Sequence, residues 1–267
     1  MKNTTLNNRL LISVVFILGV LMIIVLVGPT MNQAKSEQAN DVSISVTMTI
    51  SSILDQIETK SVAEPQRTPT LKLASPTSTL GPMPSSYYIR DIIGNRQYYA
   101  LGCEASAAVD LAAYYGAQIL QYDFQINLPR SDNPDLGFVG DVNGPWGQIP
   151  PAAYGVHAGP VAELLKEFHV DVEGGKGYTL EEIKKRLSGS NPVIVWVIGH
   201  MEYSEPVDYI DKQGNTVVVA PYEHVVILTG YDEDSVRYLN NGRFADVPNE
   251  VFLNSWGVLE NQAVFHR

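Results

Sequence analysis

From residue 87 onward the sequence predicts a single α+β domain, on three observations. An alanine-rich, proline-free stretch follows Cys103, two valine-rich apolar runs occupy 192–198 and 224–231, and helical signals come before strand signals rather than alternating with them. The 181 residues from Tyr87 to Arg267 suit one domain. What precedes them reads differently.

Lys2 and Arg9 flank an unbroken apolar run from Leu10 to Val27, closed by Gly28-Pro29. Eighteen residues at about 1.5 Å per residue reach roughly 27 Å, enough to cross a bilayer core. The positive flank places the N-terminus in the cytoplasm and the remainder outside the cell membrane as a single-pass protein. A secreted form after signal cleavage is the alternative, but the run is long for a signal peptide and no A-x-A site follows it. Residues 29–86 are expected to be a Ser/Thr/Pro-rich linker, because Glu64–Ser86 alone carries five prolines among many hydroxyls. The organisation is therefore 1–28 cytoplasmic stub and anchor, 29–86 linker, 87–267 domain.

Within the domain, Glu104 to Tyr115 predicts a helix ended by Gly116. Residues 127–155 form a long Gly/Pro/Asn/Asp-rich loop containing G-F-V-G-D and G-P-W-G, and loops of that length in compact domains are usually functional. Val161–Phe168 reads as a second helix. Thr179 caps a third, with Glu182 completing a capping box. Pro192–Ile198 has the continuous apolar text of a buried strand. Asp211–Asn215 is a hairpin turn. His224–Tyr231 is a strand that turns at 232–235 and returns as Val236–Asn240. A late helix over Asn249–Trp256 and a short final strand close the chain.

Cys103 is the only cysteine in 267 residues. It has no disulfide partner and cannot build a thiolate metal site alone, which leaves an inert buried thiol or a nucleophile. It lies at a predicted helix N-terminus, where unpaired N–H groups and the positive dipole end favour a thiolate. The Glu104 carboxylate beside it acts in the opposite sense. A nucleophilic thiol needs a base, and His224, at the mouth of a buried strand, is the best-placed of the five histidines. His157, near Tyr154 in the long loop, is the next to watch. A third group must orient the base. The returning strand ends Asn240-Asn241, and either asparagine could accept from the imidazole; Asn241 is the preferred choice. Asn254, in the N-S-W-G stretch, reads as core packing of the late helix. Gln97, six residues before Cys103, could donate its amide to an oxyanion.

Several of these motifs, in this order, resemble the stand-alone peptidase-C39-like group of cysteine peptidases. They are Q-x5-C, A-A-Y-Y-G, G-F-V-G-D with the following W-G, L-E-E-I-K, P-V-I-V-W-V, H-V-V-I-L-T-G-Y-D and F-L-N-S-W-G. The resemblance spans Tyr87 to the C-terminus. It implies a papain-like fold, with an N-terminal helix packed on an antiparallel sheet, and a Cys103–His224 pair with Gln97 in the oxyanion role. The family's third residue is usually aspartate in an N-D-P ending, where this chain has Asn240-Asn241-Gly242.

The expected activity is thiol hydrolysis of peptide or amide bonds in a peptide or protein substrate, without metal or organic cofactor. The chain has no H-E-x-x-H and no G-x-x-x-x-G-K-[ST]. A net charge of −11 with no basic patch argues against nucleic acid as a partner, and the missing phosphate loop argues against nucleotide. An amidase or acyltransferase on cell-wall peptides, or a non-catalytic peptide-binding module, are the rival readings.

Overall fold

The computed structural model describes residues 83–267. The expected membrane-spanning run at 10–27 and nearly all of the linker lie outside them. Among the described residues no helix is long and apolar enough to cross a membrane. Contacts with the domain extend before residue 87, because the Pro84 carbonyl accepts a hydrogen bond from the Tyr231 hydroxyl (2.9 Å).

The domain is a seven-stranded antiparallel sheet with five helices. The strands are β1 (Tyr87–Tyr88), β2 (Val172–Gly175), β3 (Val193–Ile198), β4 (Val207–Ile210), β5 (Thr216–Val219), β6 (Glu223–Tyr231), β7 (Ser235–Asn240), β8 (Arg243–Pro248) and β9 (Ala263–His266). The helices are α1 (Cys103–Tyr114), α2 (Gln121–Asn127), α3 (Ala158–Glu167), α4 (Leu180–Ser188) and α5 (Asn249–Gly257). The main sheet runs β2-β9-β3-β6-β7-β8, with β1 on β6, and β4-β5 forms a separate ribbon. The α+β class read from the sequence is the class observed.

Each central element follows from its sequence. All six residues of β3 are buried, so both sheet faces are covered there and the text is apolar without alternation. Helix α1 packs on β6 and β3, and its first ten residues are all buried. Its alanines bring the helix backbone close to the sheet. Helix α4 opens with the expected capping box, in which the Thr179 side chain accepts from Glu182 N–H and the Glu182 carboxylate accepts from Thr179 N–H. Asn241 (φ 51°) and Gly242 (φ 77°) form the two-residue turn between β7 and β8, since both central residues of such a turn need positive φ.

The N-S-W-G stretch, expected to pack in the core, does so only through its two middle residues. Asn254 is exposed on α5, whereas Ser255 and Trp256 are buried. Ser255 Oγ accepts from Ile198 N–H (2.9 Å) and donates to Ile198 C=O (3.3 Å), locking α5 to the end of β3. Trp256 Nε1 donates to the Gln262 carbonyl (2.7 Å). Ser255→Ala orphans the buried Ile198 N–H, while the Ile198 carbonyl keeps its bond from Glu202 N–H (2.8 Å). It is expected to cost about 1–3 kcal/mol in denaturant unfolding, and an unchanged midpoint would mean the N–H is satisfied elsewhere.

Candidate active site

Cys103 is the first residue of α1 and is buried. Its Sγ–H points to its neighbour, donating to Glu104 Oε2 at 3.3 Å. Glu104 is fully buried, and its Oε1 accepts from Val156 N–H at 2.7 Å. Glu223, the first residue of β6, is buried as well. The thiol and a carboxyl oxygen from each glutamate lie within 4.8 Å of one another. One Glu223 oxygen, Oε1, has no hydrogen-bond partner. Gly155 closes the group from the loop. A Cβ there would stand 2.4 Å from Glu104 Oε1 and 2.9 Å from Glu223 Oε2, at φ 139°, so only glycine fits.

This environment reverses the expectation of a helix-stabilised thiolate. Burial raises the Cys103 pKa well above its ordinary value, and the charges of Glu104 and Glu223 raise it further. The dipole acts on a group that has lost its water and faces carboxyls. Glu104 is pushed up by burial to about 7, opposed by hydrogen bonds from its own and Val156 N–H groups. Burial, then the charge of Glu104, pushes Glu223 up strongly. Both Glu104 oxygens accept hydrogen bonds while Glu223 Oε1 finds no donor, so Glu223 is the natural holder of a proton in the pair. These three groups are the described residues best disposed to hold a cation. Their raised pKa values mean that near neutral pH they serve first as a proton-sharing cluster.

His224 follows Glu223 on β6. Its Nε2 is 3.0 Å from Asn240 Oδ1 at the end of β7. An amide oxygen can only accept, so Nε2 carries the proton and Nδ1 keeps its lone pair. Burial depresses the imidazole pKa to about 4; the bond to Asn240 works against that shift, and His200 adds to it. The asparagine bonded to the imidazole is therefore Asn240, where the sequence favoured Asn241. The hairpin explains the correction. Asn241 is consumed by the turn, and its Oδ1 accepts from Gln97 N–H (2.8 Å) instead.

Gln97, Cys103, Asn240 and Asn241 line one small cavity with Ser106, Asp110 and the apolar residues Val225, Ile227 and Leu239. The structure thus brings Gln97, Cys103 and Asn241 to one cavity, whereas His224 is not in its wall and reaches it only through Asn240; two of the expected roles also change. The Gln97 amide nitrogen donates to the carbonyls of Tyr99 (2.6 Å) and Ala100 (3.1 Å), so both of its hydrogens are already engaged. The thiol's hydrogen bond goes to Glu104, and among the described residues none joins it to the imidazole. Gly102 packs closely on the preceding turn; a Cβ there would meet Tyr99 Cβ at 3.1 Å.

The long loop reaches the site through Trp146, whose Nε1 donates to the Glu223 carbonyl (2.9 Å). Its ring lies 5.2 Å from Tyr222 and 6.2 Å from His224. His157 belongs elsewhere. It is buried, with Nδ1 2.6 Å from Asp135 Oδ1 and Nε2 3.4 Å from the Tyr154 hydroxyl, and clamps the loop at the start of α3. Sequence reasoning missed Glu223. The available signal was a carboxylate opening an otherwise apolar strand, next to the candidate base.

The model of the Peptidase_C39 like family matches residues 89–264, two thirds of the chain. The chain belongs to this family. It is 28% identical over 180 residues to the uncharacterized protein YvpB of Bacillus subtilis strain 168, covering 61% of this chain and 68% of that protein. It is also similar to the crystal structure of a presumed C39-like peptidase from Bacillus anthracis, at a TM-score of 0.61 and 23% identity. That match covers 68% of this chain and 97% of the other. The domain thus has the mixed α/β fold of C39-like peptidases.

The carboxyl cluster makes two outcomes measurable. Glu104→Gln removes one charge facing the thiol, so alkylation of Cys103 by iodoacetamide at pH 7.5 is expected to rise about 3–10-fold. A rate equal to or below wild type would mean that Glu104 does not restrain the thiol. The second outcome concerns stability. A carboxyl with its folded pKa raised from 4.5 to about 7 carries its full stability below 4.5 and loses it as pH rises through 7. Thermal unfolding should therefore shift in favour of Glu104→Gln between pH 4.5 and 7; a pH-independent difference would contradict the shift.

Proposed function

We propose that this chain is a membrane-anchored, extracytoplasmic cysteine peptidase that hydrolyses peptide or amide bonds by a Cys–His–Asn mechanism. The observation that carries the reading is the 3.0 Å bond from His224 Nε2 to Asn240 Oδ1, with Asn240 also in the wall of the Cys103 cavity. It fixes the tautomer in which Nδ1 can take a proton. The anchor rests on the apolar run at 10–27 with its positive flank.

In this mechanism the Cys103 thiol turns from Glu104 toward His224 when substrate enters, and Nδ1 accepts its proton as Sγ attacks the carbonyl carbon. The oxyanion meets the Cys103 backbone N–H, which has no partner within the first turn of α1. Gln97 contributes if its amide exchanges a carbonyl for the oxyanion. His224 then returns the proton to the leaving amine, and water, deprotonated by the same nitrogen, releases the acyl group. Asn240 holds the ring throughout as a neutral partner. The resting state is a thiol and a neutral imidazole, because burial disfavours charge on both.

Labelling with a peptidyl acyloxymethyl ketone, followed by intact-mass analysis, tests the reading. Wild type should be modified once, and Cys103→Ala and His224→Ala should lose the modification. Equal labelling of His224→Ala and wild type would remove the histidine from the mechanism. In a peptide-hydrolysis assay, Asn240→Ala should lower kcat/KM by about 10–100-fold while Asn241→Ala acts mainly on stability; the reverse ranking would overturn the orienting role. Release of cell-wall fragments with no peptide hydrolysis would move the activity to the amidase class.

A further inference from the structure

A second, larger groove adjoins the Cys103 cavity. It measures about 550 Å³ and is lined by Arg96, Tyr238, Asn240, Asn241, Arg243 and Ala245. Asn240 and Asn241 line both spaces, so the groove is continuous with the wall of the nucleophile's cavity. Its two charged side chains are both arginines, and no carboxylate lines it. Among the described residues neither arginine makes an ion pair, in a chain of net charge −11. Two unpaired guanidiniums on so acidic a protein are a local reversal of charge beside the candidate nucleophile.

The backbone that carries them is fixed. Buried Gln121 donates to the Arg96 carbonyl (2.9 Å) and accepts from Tyr98 N–H (3.0 Å), while Gln97 N–H donates to Asn241 Oδ1. Arg243 sits directly across the hairpin from Asn240. The Arg96 loop and the Arg243 strand are thus tied together through Asn241, and the spacing of the arginines is built into the fold. Both side chains are exposed on this fixed backbone, and guanidiniums so carried suit a carboxylate, which each can meet with two parallel N–H groups.

We propose that this groove binds a carboxylate of the substrate peptide, so that the site acts on acidic peptides or on bonds near a free chain end. This rests on the peptidase reading of the adjoining cavity and names its substrate class. Arg96 and Arg243 set specificity; neither takes part in the chemistry. The two sources of carboxylate, an Asp/Glu side chain and a C-terminus, are separated by experiment.

Binding to the full-length Cys103→Ala protein tests the groove without requiring turnover. Fluorescein-labelled peptides carrying paired glutamates, and glutamine-matched twins, are each made with free and with amidated C-termini, and anisotropy is read at low and high salt. The glutamate peptide is expected to bind about tenfold more tightly than its twin at low salt, with the advantage shrinking as salt rises. Arg96→Gln/Arg243→Gln should abolish that advantage and Arg96→Lys/Arg243→Lys retain part of it, with unchanged melting showing that the fold persists. If only the free-acid forms gain affinity, the bound group is the chain end. Equal binding of all four peptides, or a preference that survives Arg96→Gln/Arg243→Gln, overturns the proposal. Hydrolysis of the same peptides by wild type is scored separately. Acid preference without hydrolysis supports the groove and removes the peptidase reading, whereas hydrolysis without acid preference does the opposite.

Discussion

Seating the first turn of α1 on the start of β6 is the contact on which the rest of the domain depends. It buries a thiol and two carboxyls together, at a place where a helix end would otherwise meet solvent. Ionised carboxylates in such a place would be costly, so the surroundings are arranged around them. Val156 N–H and the Glu104 amide turn toward one carboxyl, a glycine stands where any side chain would collide, and the other carboxyl rises in pKa. The long loop is held in the same act, since Val156 and Trp146 both bond to this corner.

The consequence for chemistry is a thiol at rest. Many helix-start cysteines are activated by the dipole, but here the dipole is answered by a carboxylate on the very next residue, and the imidazole is half-buried and neutral. In the proposed mechanism reactivity is produced only when a substrate rearranges the donors. A permanently ionised lone thiol would be prone to oxidation, which this resting arrangement avoids.

Much of the fold was legible because burial wrote itself into periodicity. The all-apolar β3, the β6–β7 hairpin and the capping box of α4 stand where the sequence places them. Helix α2 did not, because its buried face is made of Phe124 with Gln121 and Gln125, and buried glutamines look like surface. Strand β8 is an edge strand with only Val247 buried, so it lacks the alternation that marks strands, although the Asn241-Gly242 turn announced it. At the site, Cys103 and His224 could be found from residue type and local text. Choosing Asn240 over Asn241 required the register of the hairpin, since one residue decides whether a side chain meets the histidine or belongs to the turn. Recognising Glu223 required knowing that a charged residue at a strand's start is covered by a helix and a loop.

The two hairpins of this domain therefore differ in how much change they can absorb. The tip of β4–β5, at Lys212 to Gly214, belongs to a two-stranded ribbon and, among the described residues, is tied down only at its near side, by Asn133 on Asp211 and by Lys212 N–H on Asp132. The tip of β7–β8 is two residues long, with the histidine's partner on one side, an arginine on the other and the Gln97 amide fastened to its middle. Lengthening the first alters a surface. A single inserted residue in the second would misalign the base, detach the loop before the nucleophile and separate the two guanidiniums, so variation in chain length among relatives should concentrate at the first tip and spare the second.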